Sequence, residues 1–167
     1  ARILWVEACV LTPDQDSGSL RTFRLLKILI QMGCKVTFAA NNLLADEPYG
    51  QALRDEGIEV LHAPYVQSMS DHLRAKGDLY DVVVLCRHYI AIELVDLLRE
   101  CHPKTQVWFD TIDLHYLRLR RQYELDGKSA TRELALHAFQ EESEVIARSD
   151  VTIAVREVEV ATWAEVL

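Results

Sequence analysis

Short β-branched runs recur along this chain, each followed by a longer segment of helical period, and this alternation constrains the fold more than any other feature. Strand and helix in turn build a parallel sheet covered by helices. Strands are expected from Arg2 to Val6, Lys35 to Ala39, Glu59 to His62, Asp81 to Cys86, Gln106 to Phe109 and Val151 to Val155. Val82-Val83-Val84-Leu85 is apolar without alternation, which a strand buried on both faces requires.

The first helix is expected from about Leu20 to Met32, with Arg24, Lys27 and Gln31 as its polar stripe and Phe23, Leu26, Leu29 and Ile30 toward the core. Gly33 ends it, and Gly57 plays the same part after a helix from Gln51 to Glu56. His88 to Cys101 reads as a third amphipathic helix stopped by Pro103, and Ser129 to Arg148 as a long acidic one. No internal repeat or interior linker interrupts the pattern. The expected fold is α/β: one Rossmann-like, doubly wound, mostly parallel sheet over residues 1–167, with helices on both faces. Glu157 to Leu167 reads as a helix leaving it.

Eighteen Lys and Arg against twenty-six Asp and Glu give a formal charge of -8 over 167 residues, the wrong sign for neutralising many nucleic-acid phosphates. A nucleic-acid partner is therefore not expected. Cys9, Cys34, Cys86 and Cys101 stand far apart with no C-x-x-C, three of them in or beside apolar runs that favour buried thiols, so neither a metal site nor disulfides are expected. No apolar stretch reaches the length of a membrane span, and the first residues read as a strand rather than a signal peptide. The missing initiator Met and the end at Leu167 are those expected of a piece of a longer protein.

In open sheets of this kind ligands bind beyond the carboxyl ends of the strands, so the loops there hold the candidate residues. Thr12-Pro13-Asp14-Gln15-Asp16-Ser17-Gly18-Ser19-Leu20-Arg21 leads from the first strand into the first helix. Gly18 allows a ligand or another backbone close approach, and the amides of Ser19 and Leu20 at a helix N-terminus favour an anion such as phosphate. The same residues also read as a helix cap, with Ser17 or Ser19 accepting from an orphan amide and Asp14 and Asp16 favouring the positive end. A single glycine without a following lysine is neither a dinucleotide fingerprint nor a P-loop.

After the fifth strand, Asp110, Asp113 and His115 fall within six residues. Such a cluster positions sugar hydroxyls or moves a proton; alternatively Asp113 caps the helix that follows and His115 packs at its surface. Arg87 and His88 end the fourth strand on the same side, where they contact an anionic or polar substrate or simply cap a loop. Arg118, Arg120 and Arg121, with Lys128 and Arg132, form the basic concentration of an acidic chain, facing phosphates or solvent. The run Glu141-Glu142-Ser143-Glu144 reads as the wet face of its helix. His62, His72, His102 and His137 read as structural or solvent residues, and Trp5, Trp108 and Trp163 as packing.

The Thr12-to-Arg21 loop, the Gly33-Cys34-Lys35-Val36-Thr37-Phe38 run that opens the second strand, and Phe109-Asp110-Thr111-Ile112-Asp113-Leu114-His115 together resemble the N-terminal half of a glycosyltransferase of family four, the group-one type, over nearly the whole chain. The resemblance implies a GT-B architecture, two Rossmann-like domains facing each other across a cleft, with neither metal nor other cofactor. The N-terminal domain mainly binds acceptor; the C-terminal domain, outside this chain, holds the nucleotide-sugar. Gly18 and Ser19 then approach the donor's diphosphate. Ile112 stands where the family often has a histidine, Asp113 matches the aspartate beside it, and His115 supplies an imidazole one helical step away, making Asp113 and His115 the catalytic candidates. Asp16, Gly18, Ser19, Arg21, Arg87, His88 and Arg118 are the substrate-binding candidates.

The partners so implied are a nucleotide-sugar, a glycan or lipid-linked acceptor and the chain's own C-terminal domain. The setting is surface-polysaccharide synthesis in the cytoplasm, with peripheral contact at the inner membrane face. The family's paired glutamates belong to the absent domain, and Glu157 and Glu165, although eight apart, fall in the terminal helix and reflect composition. The isolated domain is therefore expected not to turn over, and Gly18, Asp113 and His115 are expected on one wall. A flavodoxin-like signalling module fits less well, since Glu7 is single, the fourth strand ends in Cys86-Arg87 and Lys104 precedes its strand. A sugar-binding or scaffold domain without turnover is the third reading.

Overall fold

Six parallel strands, β1 (Arg2–Glu7), β2 (Lys35–Ala40), β3 (Glu59–Leu61), β4 (Val82–Cys86), β5 (Gln106–Asp110) and β6 (Val151–Ile153), form one sheet in the order β3-β2-β1-β4-β5-β6. The helices that follow the strands are α1 (Ser17–Gln31), α2 (Tyr49–Asp55), α3 (Met69–Lys76), α4 (His88–Cys101), α5 (His115–Asp126), α6 (Ser129–Arg148) and α7 (Glu157–Ala164). This computed structural model describes residues 1–164, with Val158, Thr162, Trp163 and Ala164 as backbone only. Glu165 and the side chain of Trp163 thus lie outside the described residues.

Successive side chains of a strand point to opposite faces, so a sheet covered on both sides needs apolar residues at every position. Leu4, Val6, Val83, Leu85, Val107 and Phe109 pack on one face with Leu73 of α3, Leu94 and Leu98 of α4 and Val145 of α6. Ile3, Trp5, Val36, Phe38, Val82 and Val84 pack on the other with Leu26 of α1 and Leu53 of α2. The fold is therefore the doubly wound, Rossmann-like α/β fold, with its strands all parallel. Its chain order reverses between β1 and β4, where such a sheet opens a crevice at its carboxyl edge.

α4 and α6 run over the residues their periodicity marks. α1 begins earlier than expected, at Ser17, because Asp16 is its N-cap: the carboxylate accepts from Ser19 N at 2.7 Å. It ends where Gly33 turns left-handed at φ 81°. β3 and β6 are shorter than expected, at three residues each; both are sheet edges, where a strand has a ladder partner on one side only. α3 was not expected. Its signal is a capping box, in which Ser68 Oγ accepts from Asp71 N at 3.0 Å and donates to Asp71 Oδ2 at 2.7 Å.

All four cysteines are free, but the thiols are not generally buried. Cys86 is, because it belongs to central strand β4, whereas Cys9 in the loop beyond β1 and Cys101 at the end of α4 are exposed. No helix among the described residues is long and apolar enough to cross a membrane. Leu85, wholly buried on β4, reports on the core. Leu85→Ala is expected to lower the free energy of unfolding by about 2–5 kcal/mol, measured by urea titration.

Candidate functional site

At the switch point the last residue of β1 meets the first residue beyond β4. Glu7, 4 % exposed, accepts from Arg87 Nε at 3.0 Å. Arg87 lies at φ 69°, ψ 136°, a region that non-glycine residues rarely enter. That backbone costs on the order of 1–3 kcal/mol, and is held by the ion pair and by the Arg87 N–H, which donates to Asp110 O at 3.1 Å. Burial pushes the neighbouring Cys86 thiol well up, so it is no nucleophile at neutral pH.

Asp110 ends β5 with no solvent exposure. Its Oδ2 accepts from Arg21 Nη1 at 2.7 Å and its Oδ1 from Ile112 N at 3.1 Å. Burial pushes its carboxyl up against the opposing pull of Arg21. Ile112 stands at φ 56°, and Asp113 N donates to Thr111 O at 2.5 Å across it, a tight γ-like turn. This turn meets the first turn of α1, since a Cβ on Gly18 would lie 3.5 Å from Ile112 Cγ2 and 3.2 Å from Asp16 Oδ1. Gly18 therefore lies against the residue preceding Asp113.

The anion-binding and capping alternatives for the loop after β1 resolve in the geometry. Neither serine caps α1; Asp16 does, and its other oxygen accepts from Thr12 Oγ1 at 3.0 Å. Burial pushes this carboxyl up, but the hydrogen bonds from Ser19, Thr12 and Gly18 outweigh burial and hold it below the usual carboxylate range. The Ser19 amide thus already faces a negative charge.

Two imidazoles come together from helix starts far apart in sequence. His88 opens α4, is 7 % exposed, and meets the edge of His115, which opens α5, with ring centroids 4.6 Å apart. Tyr89 stacks on His115 at 5.9 Å. His88 Nε2 lies 3.4 Å from Glu141 Oε2, and its Nδ1 lies 3.6 Å from Glu142 Oε1. Burial pushes His88 down to about 4, helped by His115 and only partly opposed by Glu141. Burial likewise takes His115 to about 4, with Arg118 and Arg87 acting the same way. Both rings are therefore neutral at pH 7.

Asp113 does not cap α5. It is half exposed, with Arg118 Nε 3.6 Å away. The cap comes from α6: Glu142 Oε1 accepts from His115 N at 2.7 Å and Oε2 from Tyr116 N at 3.3 Å. The acidic run is therefore not simply a wet face, because Glu142 is 1 % exposed. Burial, with Asp113 and Glu159 nearby, pushes its carboxyl up to about 7 against the pull of the two amides. Sequence did hold a signal for this: Thr131, Ala135, Ala138, Glu142 and Val145, the buried residues of α6, follow helical spacing. Arg120 and Arg121 are exposed on α5, Arg120 pairing with Glu124 at 3.3 Å.

His72 donates to or accepts from Tyr80 Oη at 2.9 Å, and His137 lies 3.6 Å from Glu141, both outside the rim's ring pair. Among the described residues no group of three or more His, Cys, Asp or Glu side chains is arranged to hold a metal ion. A cavity of about 600 Å³ opens at the amino end of the strands, lined by Arg2, Tyr80, His102 and Lys104 among others. It lies opposite the rim. No family model matches the chain, and no curated protein matches it.

Two predictions follow from these charges. Arg21→Ala leaves Asp110 buried without its cation, so unfolding should cost roughly 3 kcal/mol less in urea titrations, and adding Asp110→Asn should restore part of the loss. For pH, His88 and His115 bind fewer protons folded than unfolded between about 4 and their ordinary 6.5, so their contribution to stability falls as pH drops through that window. Glu142 acts oppositely, since the folded chain holds its proton up to about 7 and the unfolded chain only to 4.5. Two groups outweigh one. Stability, followed by tryptophan fluorescence in urea, should rise from pH 4 to 6.5, and the rise should shrink in a His88→Gln, His115→Gln double variant.

Proposed function

We propose that this domain is the acceptor-side half of a retaining, two-domain GT-B glycosyltransferase that moves a sugar from a nucleotide-sugar to a hydroxyl of a glycan or lipid-linked acceptor. The observation that carries this reading is the close approach of Gly18, in the first turn of α1, to Ile112, which brings the start of α1 and the loop after β5 into one rim beside the sheet's switch point. In the reaction the anomeric carbon's bond to the diphosphate breaks and its electron pair leaves with the diphosphate. The acceptor oxygen bonds to that carbon, and the hydroxyl proton passes to an oxygen of the departing diphosphate, from which it exchanges with water.

Each rim group has a part in that chemistry. The Asp113 carboxylate accepts hydrogen bonds from hydroxyls, and neutral His115 accepts at one ring nitrogen while donating at the other. Both suit an uncharged acceptor and an oxocarbenium-like sugar ring, which nearby oxygens stabilise. The rim has less to offer a phosphate: Asp16 faces the Ser19 amide, and Arg21 and Arg87 are paired with Asp110 and Glu7. On this reading Gly18 contributes room, and the donor's charge is met by the facing domain. Arg118, Arg120 and Arg121 on α5 face the phosphate of a lipid-linked acceptor or the anionic inner leaflet of the cytoplasmic membrane. The pairing of the rim arginines also favours a second reading, a domain that binds neutral sugar without turnover.

Nucleotide release separates the two. Full-length protein would be assayed for nucleoside diphosphate release with a panel of uridine-, guanosine- and thymidine-diphosphate sugars. A Cβ at Gly18 meets ordinary contact at Ile112 but lies 3.2 Å from Asp16 Oδ1, the oxygen that caps α1, so the Gly18→Leu variant fills the space at this rim at the cost of a weakened cap, about 1 kcal/mol. Release should drop by about a hundredfold, far more than that loss of stability explains, with the protein still folded at the assay temperature. Release at the wild-type rate would end the enzymatic reading of this rim.

A further inference from the structure

α5 is an unusual helix in this fold. None of its residues is buried, it packs chiefly against α6, and the residue before it, Leu114, offers no side-chain cap. Yet its first residue carries an imidazole of the rim. Its place is set by a carboxylate 27 positions away: Glu142 closes the first two amides of α5 with both oxygens, 2.7 Å from His115 N and 3.3 Å from Tyr116 N. A negative charge there also meets the positive end of the helix dipole. The same Oε1 lies 3.6 Å from His88 Nδ1, and His88 is the ring on which His115 rests.

We propose that Glu142 is the positioning residue of the rim, its ionised carboxylate fixing the amino end of α5 and thereby seating His115 against His88. The two N–H groups meet one oxygen each, and the ionised form makes both bonds charge-assisted. Protonation removes that charge and leaves a hydroxyl oxygen as a much weaker acceptor for one amide, so the amino end of α5 loosens. The groups that face this carboxylate are His88 from α4, Asp113 in the turn before α5, His115 at the start of α5, and Glu159 from α7, while Glu141, its neighbour on α6, meets the other ring nitrogen of His88. Arg118 and Arg87 reach the adjoining His115, and His137 pairs with Glu141. Glu159 is itself engaged, accepting from Val155 N at 2.9 Å, and therefore belongs to the same acidic surroundings without capping α5.

The structural part of this proposal stands by itself, and its consequence for transfer rests on the reading of His115 given above. The test follows the backbone amides of His115 and Tyr116 by NMR, as hydrogen-exchange protection factors across pH 5 to 9 in the wild-type chain and in E142Q. In the wild type both amides should lose protection together by about tenfold or more as the carboxylate is protonated, the scale of one charge-assisted hydrogen bond. E142Q presents one acceptor and one donor at every pH, so its two amides should exchange fast throughout, with Val84 and Leu85 as protected as in the wild type. Persistence of the pH step in E142Q, or its absence in the wild type, overturns the proposal. In full-length protein E142Q should also lose the acid limb of the kcat profile while KM changes little. If the amide step behaves as expected but kcat is untouched, Glu142 still positions α5 and it is the role of His115 in transfer that fails.

Discussion

Asp110 is placed, with no solvent at all, at the carboxyl end of a central strand, and the arrangement of the rim follows from that burial. An unpaired carboxylate there would be too costly, so a cation must come from elsewhere. Arg21 supplies it from α1, reaching from the element that follows β1 to the end of β5. Arg87, beyond β4, reaches back to Glu7 at the end of β1. The two pairs thus brace the carboxyl edges of β1, β4 and β5 against one another. Desolvation offsets much of their attraction, so their contribution is to fix orientation more than to add stability. That orientation includes the backbone of Arg87, held at positive φ by its own side chain and by the carbonyl of Asp110.

Burial also decides what kind of chemistry the rim's other groups can do. His88 and His115 pack against each other and lose their charge, because burial removes the hydration an imidazolium needs, with His115 adding to the effect at His88 and Arg118 and Arg87 adding to it at His115. Glu142 holds its proton toward neutrality for the same reason, opposed by the two amides it accepts. The cations Arg21 and Arg87 are paired within the rim and its two imidazoles are neutral, so little of its charge is left uncompensated. Among the exposed basic residues of α5, Arg118 lies 3.6 Å from Asp113 and acts on His115, while Arg120 pairs with Glu124 further along the helix.

Much of the fold was legible because helical and strand periods are local properties of a chain. His88–Cys101 and Ser129–Arg148 announce themselves by spacing alone, and Val82-Val83-Val84-Leu85 by its unbroken apolar run. The edges of the sheet were legible less well. β3 and β6 stop early because a strand at an edge has one partner, a fact that no window of residues contains. α3 was missed although its Ser68–Asp71 capping box stood in plain view, since eight residues hold too few turns for period to outweigh length.

Of the candidate site, the sequence determined which loops lie at the carboxyl edge and so gathered Gly18, Arg87, His88, Asp113 and His115 on one side of the sheet. Only the tertiary structure decided what each of them touches. Asp16 rather than a serine caps α1, Arg21 spends its charge on Asp110 across 89 positions, and Glu142 crosses from α6 to close α5. Spacing reports which face of its own helix or strand a residue occupies. Whether a carboxylate on that face meets water, an arginine or two bare amides depends on elements folded over it from distant parts of the chain, and that is settled by packing.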